Sequence, residues 1–384
     1  MVYLDYSANY PVKEEVLDYM KEIELSYIGN ANSIHNSGIK SLNLYNELDN
    51  NIKSLLKLNE NFEIVYTSSA TESNNLAIKG LAKSYSGFGK HILVSPYEHS
   101  SVNGALATLK DEGFEIEFLK VDNLGMIDKS YLESKIRTDT ILVIAMFVES
   151  EAGIINDCES IADIINKRNP NCHYLCDATQ GIIKFDLDLN KLDLISFTPH
   201  KFGGLTGTGC LIKRKSTILT PLINGGKSSS IYRSGTIPLG LIGSIYKSIE
   251  LAYKDLDKER IYVIKLHKYL IDNLKASNKV MINSFDNNPY IINISLSGIK
   301  ASDSVKLLND ADIYVSQKSA CSISNTPSKT IMAIYNNRSR ALSSFRISIS
   351  SLTTYNDIDK LINTIRSIVK WKENLQEFKK LKDQ

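Results

Sequence analysis

The sequence predicts an α/β fold, a mainly parallel seven-stranded sheet between layers of helices, followed by a smaller α+β domain. Three observations predict it. Short strand-like runs alternate with helical stretches up to about Leu251, the pattern of parallel strands joined by helical crossovers. Beyond Leu251 a long charged helix and then shorter strands and helices break that rhythm. Finally, 384 residues can bury a large core and are enough chain to divide into two lobes.

The strand-like runs come in the order Glu63–Thr67, His91–Ser95, Phe114–Leu119, Ile141–Val148, His173–Cys176, Leu192–Phe197 and Cys210–Lys213. Each is short and mostly apolar, as a strand covered on both faces should be. After the first run, a turn of small residues enters a helix from Ala70 to Lys79. Such a helix start leaves backbone N–H groups and a positive dipole end, which suit an anion such as phosphate. In the second lobe a helix is expected over Leu256–Ala276. The last helix opens on Thr354-Tyr355-Asn356-Asp357, a capping-box pattern, and sets Ile358, Leu361, Ile362, Ile365 and Val369 on one face.

Ligands of such sheets bind outside the carboxyl ends of the strands, where two chemically pointed residues fall. Lys201 follows the run Leu192–Phe197, and the glycines between Gly203 and Gly209 let the chain turn away from it. A lysine partly desolvated in such a turn has a nucleophilic amine, suited to holding an aldehyde cofactor as a Schiff base. Upstream, Asp177 ends the run Tyr174–Cys176. In pyridoxal-phosphate enzymes a carboxylate in that position faces the pyridine nitrogen and keeps the ring an electron sink. His99, after the run His91–Ser95, could stack on such a ring. Other readings of these residues are ordinary ones: a solvated lysine, a turn-forming aspartate and a structural histidine.

Composition excludes several function classes. A formal net charge of +2 gives no electrostatic case for nucleic acid as a direct ligand. Five cysteines without framework spacing argue for a reducing, cytoplasmic setting. The longest apolar stretch, Ile141–Val148, is strand-sized, and no apolar signal run precedes Tyr3-Leu4-Asp5, so neither a membrane span nor a leader is expected. The glycine-rich run Gly203–Gly209 follows a lysine instead of opening an amphipathic helix, which argues against a dinucleotide loop. Cys172-His173 with Cys176 falls short of the four ligands of a structural zinc, so no metal is expected.

The order of several spaced motifs resembles the cysteine desulfurases, class V, fold type I pyridoxal-phosphate enzymes. The motifs are Tyr3-Leu4-Asp5-Tyr6-Ser7-Ala8, the stretch Thr67–Gly80, Glu98-His99, Asp177-Ala178-Thr179-Gln180, His200-Lys201, Arg233-Ser234-Gly235-Thr236, Ser319-Ala320-Cys321 and Phe345-Arg346-Ile347-Ser348. They run over nearly the whole chain and are most similar to the housekeeping branch that feeds iron–sulfur assembly and tRNA thiolation.

The resemblance implies a fold type I transferase with residues 12–255 as the large cofactor-binding domain, and residues 1–11 with 256–384 as the small one. It implies pyridoxal 5′-phosphate held by Lys201, with Asp177 on the pyridine nitrogen, Gln180 on the ring hydroxyl and His99 stacked on the ring and aiding proton transfer. Ala70, Thr71, Thr198 and His200 would hold the phosphate. Thr236 would reach the phosphate of a neighbouring subunit, making the active unit a homodimer. Arg346 would bind the carboxylate of L-cysteine through its planar fork, with Ser150 at the substrate side. Cys321 would take the sulfur as a persulfide, leaving L-alanine, and pass it to an iron–sulfur scaffold or a tRNA-thiolation enzyme. Lys318, three residues earlier, could favour the reactive thiolate.

Against that pattern the chain departs at several points. Where the family has paired asparagines, this sequence has Glu149 and Ser150, so an acid is expected to alter the charge felt by ring or substrate. Ser69 replaces a glycine in the phosphate turn, and Gly225–Ile231 has lost the family's Gln or His and Glu-Arg-Gly. These departures leave open a class V lyase or aminotransferase on another amino acid, or a weakly catalytic cofactor-binding scaffold.

Overall fold

The structure, a computed structural model, describes residues 1–226, 228, 230–317 and 326–382. In chain order its strands are β1 (Val2–Tyr3), β2 (Phe62–Thr67), β3 (His91–Val94), β4 (Glu115–Phe118), β5 (Thr140–Ile144), β6 (His173–Asp177), β7 (Leu194–Phe197), β8 (Gly209–Arg214), β9 (Val280–Ile282), β10 (Ile291–Leu296), β11 (Ile313–Tyr314) and β12 (Ser344–Ser348).

Seven of these form one sheet in the order β2-β8-β7-β6-β5-β3-β4. Pairings from β4 through β7 are parallel, while β8 runs antiparallel to both β7 and β2. The strands fall on the seven runs that the sequence marks. Successive side chains explain why the central runs are apolar throughout, whereas the edge strand β4, Glu-Ile-Glu-Phe, leaves Glu115 and Phe118 exposed. On β5, Leu142 and Ile144 face one buried cluster with Val65, Leu76, Leu175 and Leu211, while Val143 faces the other with Tyr174, Ile195 and Ile212. A strand covered on both faces has no polar side to show. One run is longer than its strand. Ile141–Val148 stays buried throughout, but the ladder ends at Ile144 because Met146 and Val148 go on to line a cavity.

The second lobe contains an antiparallel sheet, β12-β10-β9, against which the helix Ala301–Asp310 packs, and two long helices, Leu256–Leu274 and Tyr355–Lys382, that pack on each other. The chain start joins it: Val2 pairs with Ile313, and Ser348 N–H donates to Leu4 O at 2.8 Å. The capping box forms as expected, with Thr354 N–H on Asp357 Oδ2 at 2.9 Å and Asp357 N–H on Thr354 Oγ1 at 3.2 Å. Ile358, Leu361, Ile362 and Ile365 are buried and Val369 packs against them. Among the described residues no helix is long and apolar enough to cross a membrane.

Candidate active site

His99, Met146, Asp177 and Lys201 follow or end β3, β5, β6 and β7, so the carboxyl edge of the sheet gathers residues far apart in sequence. They line one cavity of about 280 Å³. Lys201 sits in a short 3-10 turn, Pro199–Lys201, directly after β7. Gly203 then reverses the chain at φ +97°, a conformation in which a Cβ would be strained. The Lys201 amine reaches across to the chain start and donates to Ser7 O at 2.9 Å and Ala8 O at 2.7 Å.

Asp177 is held by two donors, Thr179 N–H on Oδ1 at 3.0 Å and the Asn74 amide on Oδ2 at 2.9 Å. His99 caps the helix Ser100–Asp111, and burial, opposed by Asp177, lowers its pKa. Thr198 donates to Thr208 O, so its hydroxyl can only accept from His200 Nδ1, 2.8 Å away. Burial, then Lys201, push the His200 pKa down to about 4, which makes its ring neutral.

At the far wall Arg346, on β12, is almost fully buried. Its Nη2 pairs with Asp5 Oδ1 at 2.7 Å and its Nη1 donates to Ser150 O at 2.8 Å, leaving Nε without a partner. Behind the cavity Lys184 packs on Tyr290, and its pKa is lowered to about 8 by burial, then by Lys201 and Arg346. Three cations thus surround a site whose expected occupants carry a phosphate and a carboxylate.

Ala70 and Thr71 begin the helix Ala70–Tyr85, whose first amides have no partner within the helix and face the same cavity. The Ser69 departure costs this turn nothing. Its φ of −175° is extended backbone open to any residue, and its hydroxyl caps the helix by accepting from Glu72 N–H at 3.1 Å. Close approach is required instead at Gly209, where a Cβ would lie 2.4 Å from the Ser69 carbonyl carbon.

The expectation for Glu149 is corrected. Its carboxylate turns away from the cavity and accepts from Glu151 N–H at 2.8 Å, Ala152 N–H at 2.6 Å and the Thr330 hydroxyl at 3.1 Å. Short backbone donors within the same turn hold it more readily than a distant ring could. Ser150 does line the cavity.

The remaining site residues divide clearly. Gln180 is in the cavity wall, its amide donating to Ser7 O at 2.9 Å and its Oε1 buried without a partner. Thr236 lines a separate depression with Ile28 and Tyr27 and does not reach this cavity in the single chain. Cys321 and Lys318 lie outside the described residues. The other four cysteines are buried, and Cys158 and Cys176 touch at 3.7 Å. Away from the cavity, His91, Glu115 and Glu117 converge at the sheet edge, but Arg137 and Lys135 already pair with those carboxylates.

Sequence reasoning missed Asp5, Asn74, Glu98, Ser101 and Lys184. Asp5, Asn74 and Glu98 stood inside quoted motifs without a role, and nothing local told that Asp5 meets Arg346, 341 positions away.

Pyridoxal 5′-phosphate fits this site on the structure's own terms. The buried, partnerless atoms Ser7 Oγ, Thr179 Oγ1, Gln180 Oε1 and Arg346 Nε all belong to residues lining the one cavity, and unmet polar groups of that kind call for a polar ligand. An amine, a carboxylate and a helix N-terminus sit around it. That combination defines an enzyme of the pyridoxal-phosphate class.

Residues 2–361 match the aminotransferase class-V family. The chain is 36% identical over 378 residues to cysteine desulfurase IscS of Buchnera aphidicola subsp. Acyrthosiphon pisum (strain APS), covering 96% of this chain and 92% of that protein. Among solved structures it is similar to a NifS-like protein, with a TM-score of 0.89 and 29% identity over 96% of this chain and 99% of the other. It is also similar to SspA solved in complex with cysteine, with a TM-score of 0.78 and 28% identity over 92% of this chain and 100% of that one. The chain belongs to the class-V aminotransferase family and, within it, to the cysteine desulfurases. Its cofactor is pyridoxal 5′-phosphate.

Proposed function

We propose that this protein converts L-cysteine and the thiol of Cys321 into L-alanine and a persulfide on Cys321. The observation that carries the reading is the convergence of Lys201, Asp177 and Arg346 on one cavity in a chain of this family. Bound there, the cofactor supplies an electron sink that labilises bonds at the substrate's Cα and Cβ. Lys201 would hold it covalently and move the proton at the substrate Cα. Asp177, fixed by Asn74 and Thr179, would keep the pyridine nitrogen protonated. Gln180 would meet the ring hydroxyl, and His99 would lie over the ring. The amides of Ala70 and Thr71 would hold the phosphate, joined by Thr198 and His200 once their hydrogens turn to it from Thr208 O and from Thr198. Arg346 would orient the substrate carboxylate beside Ser150, shifting one of its bonds from Asp5 or Ser150 O to do so. The atoms balance without an outside reductant: the substrate's sulfur passes to Cys321, and the thiol's proton leaves with alanine.

The same reading divides the chain at residues 12–255 and 1–11 with 256–384, and places it in the cytoplasm. A homodimer accords with Ile28, a large apolar side chain 86% exposed in the same depression as Thr236. Thr236 would then meet the phosphate of the other subunit. The sulfur would go to an iron–sulfur scaffold or a tRNA-thiolation enzyme.

The test is alanine and sulfide production from L-cysteine with a thiol reductant. Equal amounts of the two, with Cys321→Ser keeping cofactor absorbance but losing the persulfide, are expected. Sulfide release by Cys321→Ser at the wild-type rate would remove Cys321 from the mechanism. A cofactor-bound protein giving neither product would favour another amino-acid substrate.

A further inference from the structure

A chain of buried hydrogen bonds joins the residue that would meet the pyridine nitrogen, Asp177, to the one that would lie over the ring, His99. Asn74, fully buried, has two amide hydrogens and spends both: one on Asp177 Oδ2 at 2.9 Å and one on Ser101 Oγ at 3.0 Å. Its Oδ1 accepts from Ser196 Oγ. Turning the amide over would set Oδ1 against the Asp177 carboxylate, so its orientation is fixed by charge.

Ser101 Oγ, having accepted from Asn74, lies 2.9 Å from His99 Nδ1. The backbone N–H of Ser101 points at the same nitrogen from 3.2 Å. A backbone amide can only donate, so Nδ1 must offer its lone pair, and the serine hydroxyl is left with its own hydrogen to give. Both Ser101 donors therefore converge on Nδ1, and the ring proton must sit on Nε2.

We propose that Asn74 is a positioning residue that, through Ser101, locks His99 as the neutral Nε2–H tautomer, so that His99 serves the cofactor site as a hydrogen-bond donor and not as a proton acceptor. To take up a proton at Nδ1, His99 would have to give up the cap of its own helix. Three further influences act on the ring. The positive end of the helix Ser100–Asp111 and the Lys201 ammonium oppose a cation, while Asp177 favours one. Burial adds to the first two, and the balance lowers the His99 pKa. The proposal leaves Lys201 as the group that moves the substrate proton. It rests on the cofactor-site reading only for its meaning in catalysis, since the tautomer belongs to the protein itself.

The test is heteronuclear NMR of the full-length chain labelled with 15N at histidine, recorded with and without cofactor. The expected spectrum has the His99 proton on Nε2 and a pyridine-type Nδ1, assigned by its absence in His99→Gln. Two variants then separate positioning from mere packing. Ser101→Ala removes one donor and should raise the His99 protonation constant a few-fold. Asn74→Leu frees the Ser101 hydroxyl to turn and accept from Nδ1–H, so it should raise that constant by more, on the order of tenfold. In the double variant the effect should fall back to that of Ser101→Ala alone. A wild-type His99 carrying its proton on Nδ1, or equal shifts in all three variants, would overturn the proposal. Because the wild-type spectrum needs neither a stable variant nor turnover, it fails or succeeds independently of the desulfurase assay.

Discussion

Glu98 offers a sharp test of how this site manages charge. Its carboxyl is buried next to His99, accepts from Ser95 Oγ at 2.6 Å and Met146 N–H at 2.7 Å, and leaves Oε2 without a partner. Burial, helped by the nearby Asp177 charge, pushes its pKa from 4.5 up to about 8. An acid whose pKa is raised on folding binds its proton more tightly in the native state. Stability therefore falls as pH rises from the ordinary value towards 8 and is level above it, by about 1.4 kcal/mol per pH unit. Between pH values of roughly 5 and 8 that amounts to about 4 kcal/mol. For a chain of this length it corresponds to about 5 °C in melting temperature. Glu98→Gln keeps an oxygen for Ser95 and Met146 but cannot ionise, so its stability should lack this slope. Glu149, whose pKa burial and Glu151 raise to about 7, titrates in both proteins, so only its mutual repulsion with Glu98 enters the difference. The assay is thermal unfolding of both proteins across that pH range. A melting-temperature difference that stays constant with pH would refute a buried, protonated Glu98, because altered packing alone has no pH dependence.

Other predictions follow from single contacts. Gly209→Ala places a Cβ 2.4 Å from the Ser69 backbone and should displace the phosphate turn, read as cofactor loss on dialysis while the fold persists by circular dichroism. Arg346→Gln should lower kcat/KM for L-cysteine by roughly thirtyfold, the loss of a charge-assisted bond of about 2 kcal/mol, without changing the absorbance of bound cofactor. Thr354→Ala removes the cap of the last helix and should cost about 1 kcal/mol, seen as a melting temperature about 1 °C lower with activity unaltered.

The fold was legible because the central strands of the sheet are covered on both faces: their apolar runs had no other place to go, and Asp177 and Lys201 stood at the ends of two of them. The last helix was legible because Thr354 and Asp357 cap each other locally. Partnerships made across the chain were not. Asp5 meets Arg346 only because β1 joins the second lobe beside β12, and no spacing in the sequence encodes that contact. Glu149 misled for a related reason. Its position marks it as an acid beside the ring, but side-chain direction depends on which donors the following turn presents, and Glu151 and Ala152 N–H lie closer than any ligand.

That rearrangement bears on why the chain can depart from its relatives and keep the site. A phosphate and a substrate carboxylate would both bring negative charge, and Lys201, Arg346 and Lys184 would supply the opposing field. Two acids near them, Glu98 and Glu149, would weaken it if both were ionised and facing the cavity. Glu98 instead has its ionisation suppressed by burial, and Glu149 has its charge absorbed by two backbone amides and a hydroxyl. Among the described residues Asp5 pairs directly with Arg346, the cation proposed to bind the substrate carboxylate, and it also accepts from Ser316 at 2.7 Å. Were a substrate carboxylate to bind Arg346 as proposed, Asp5 would still have Ser316, so the guanidinium could be shared without leaving the half-buried Asp5 unpartnered.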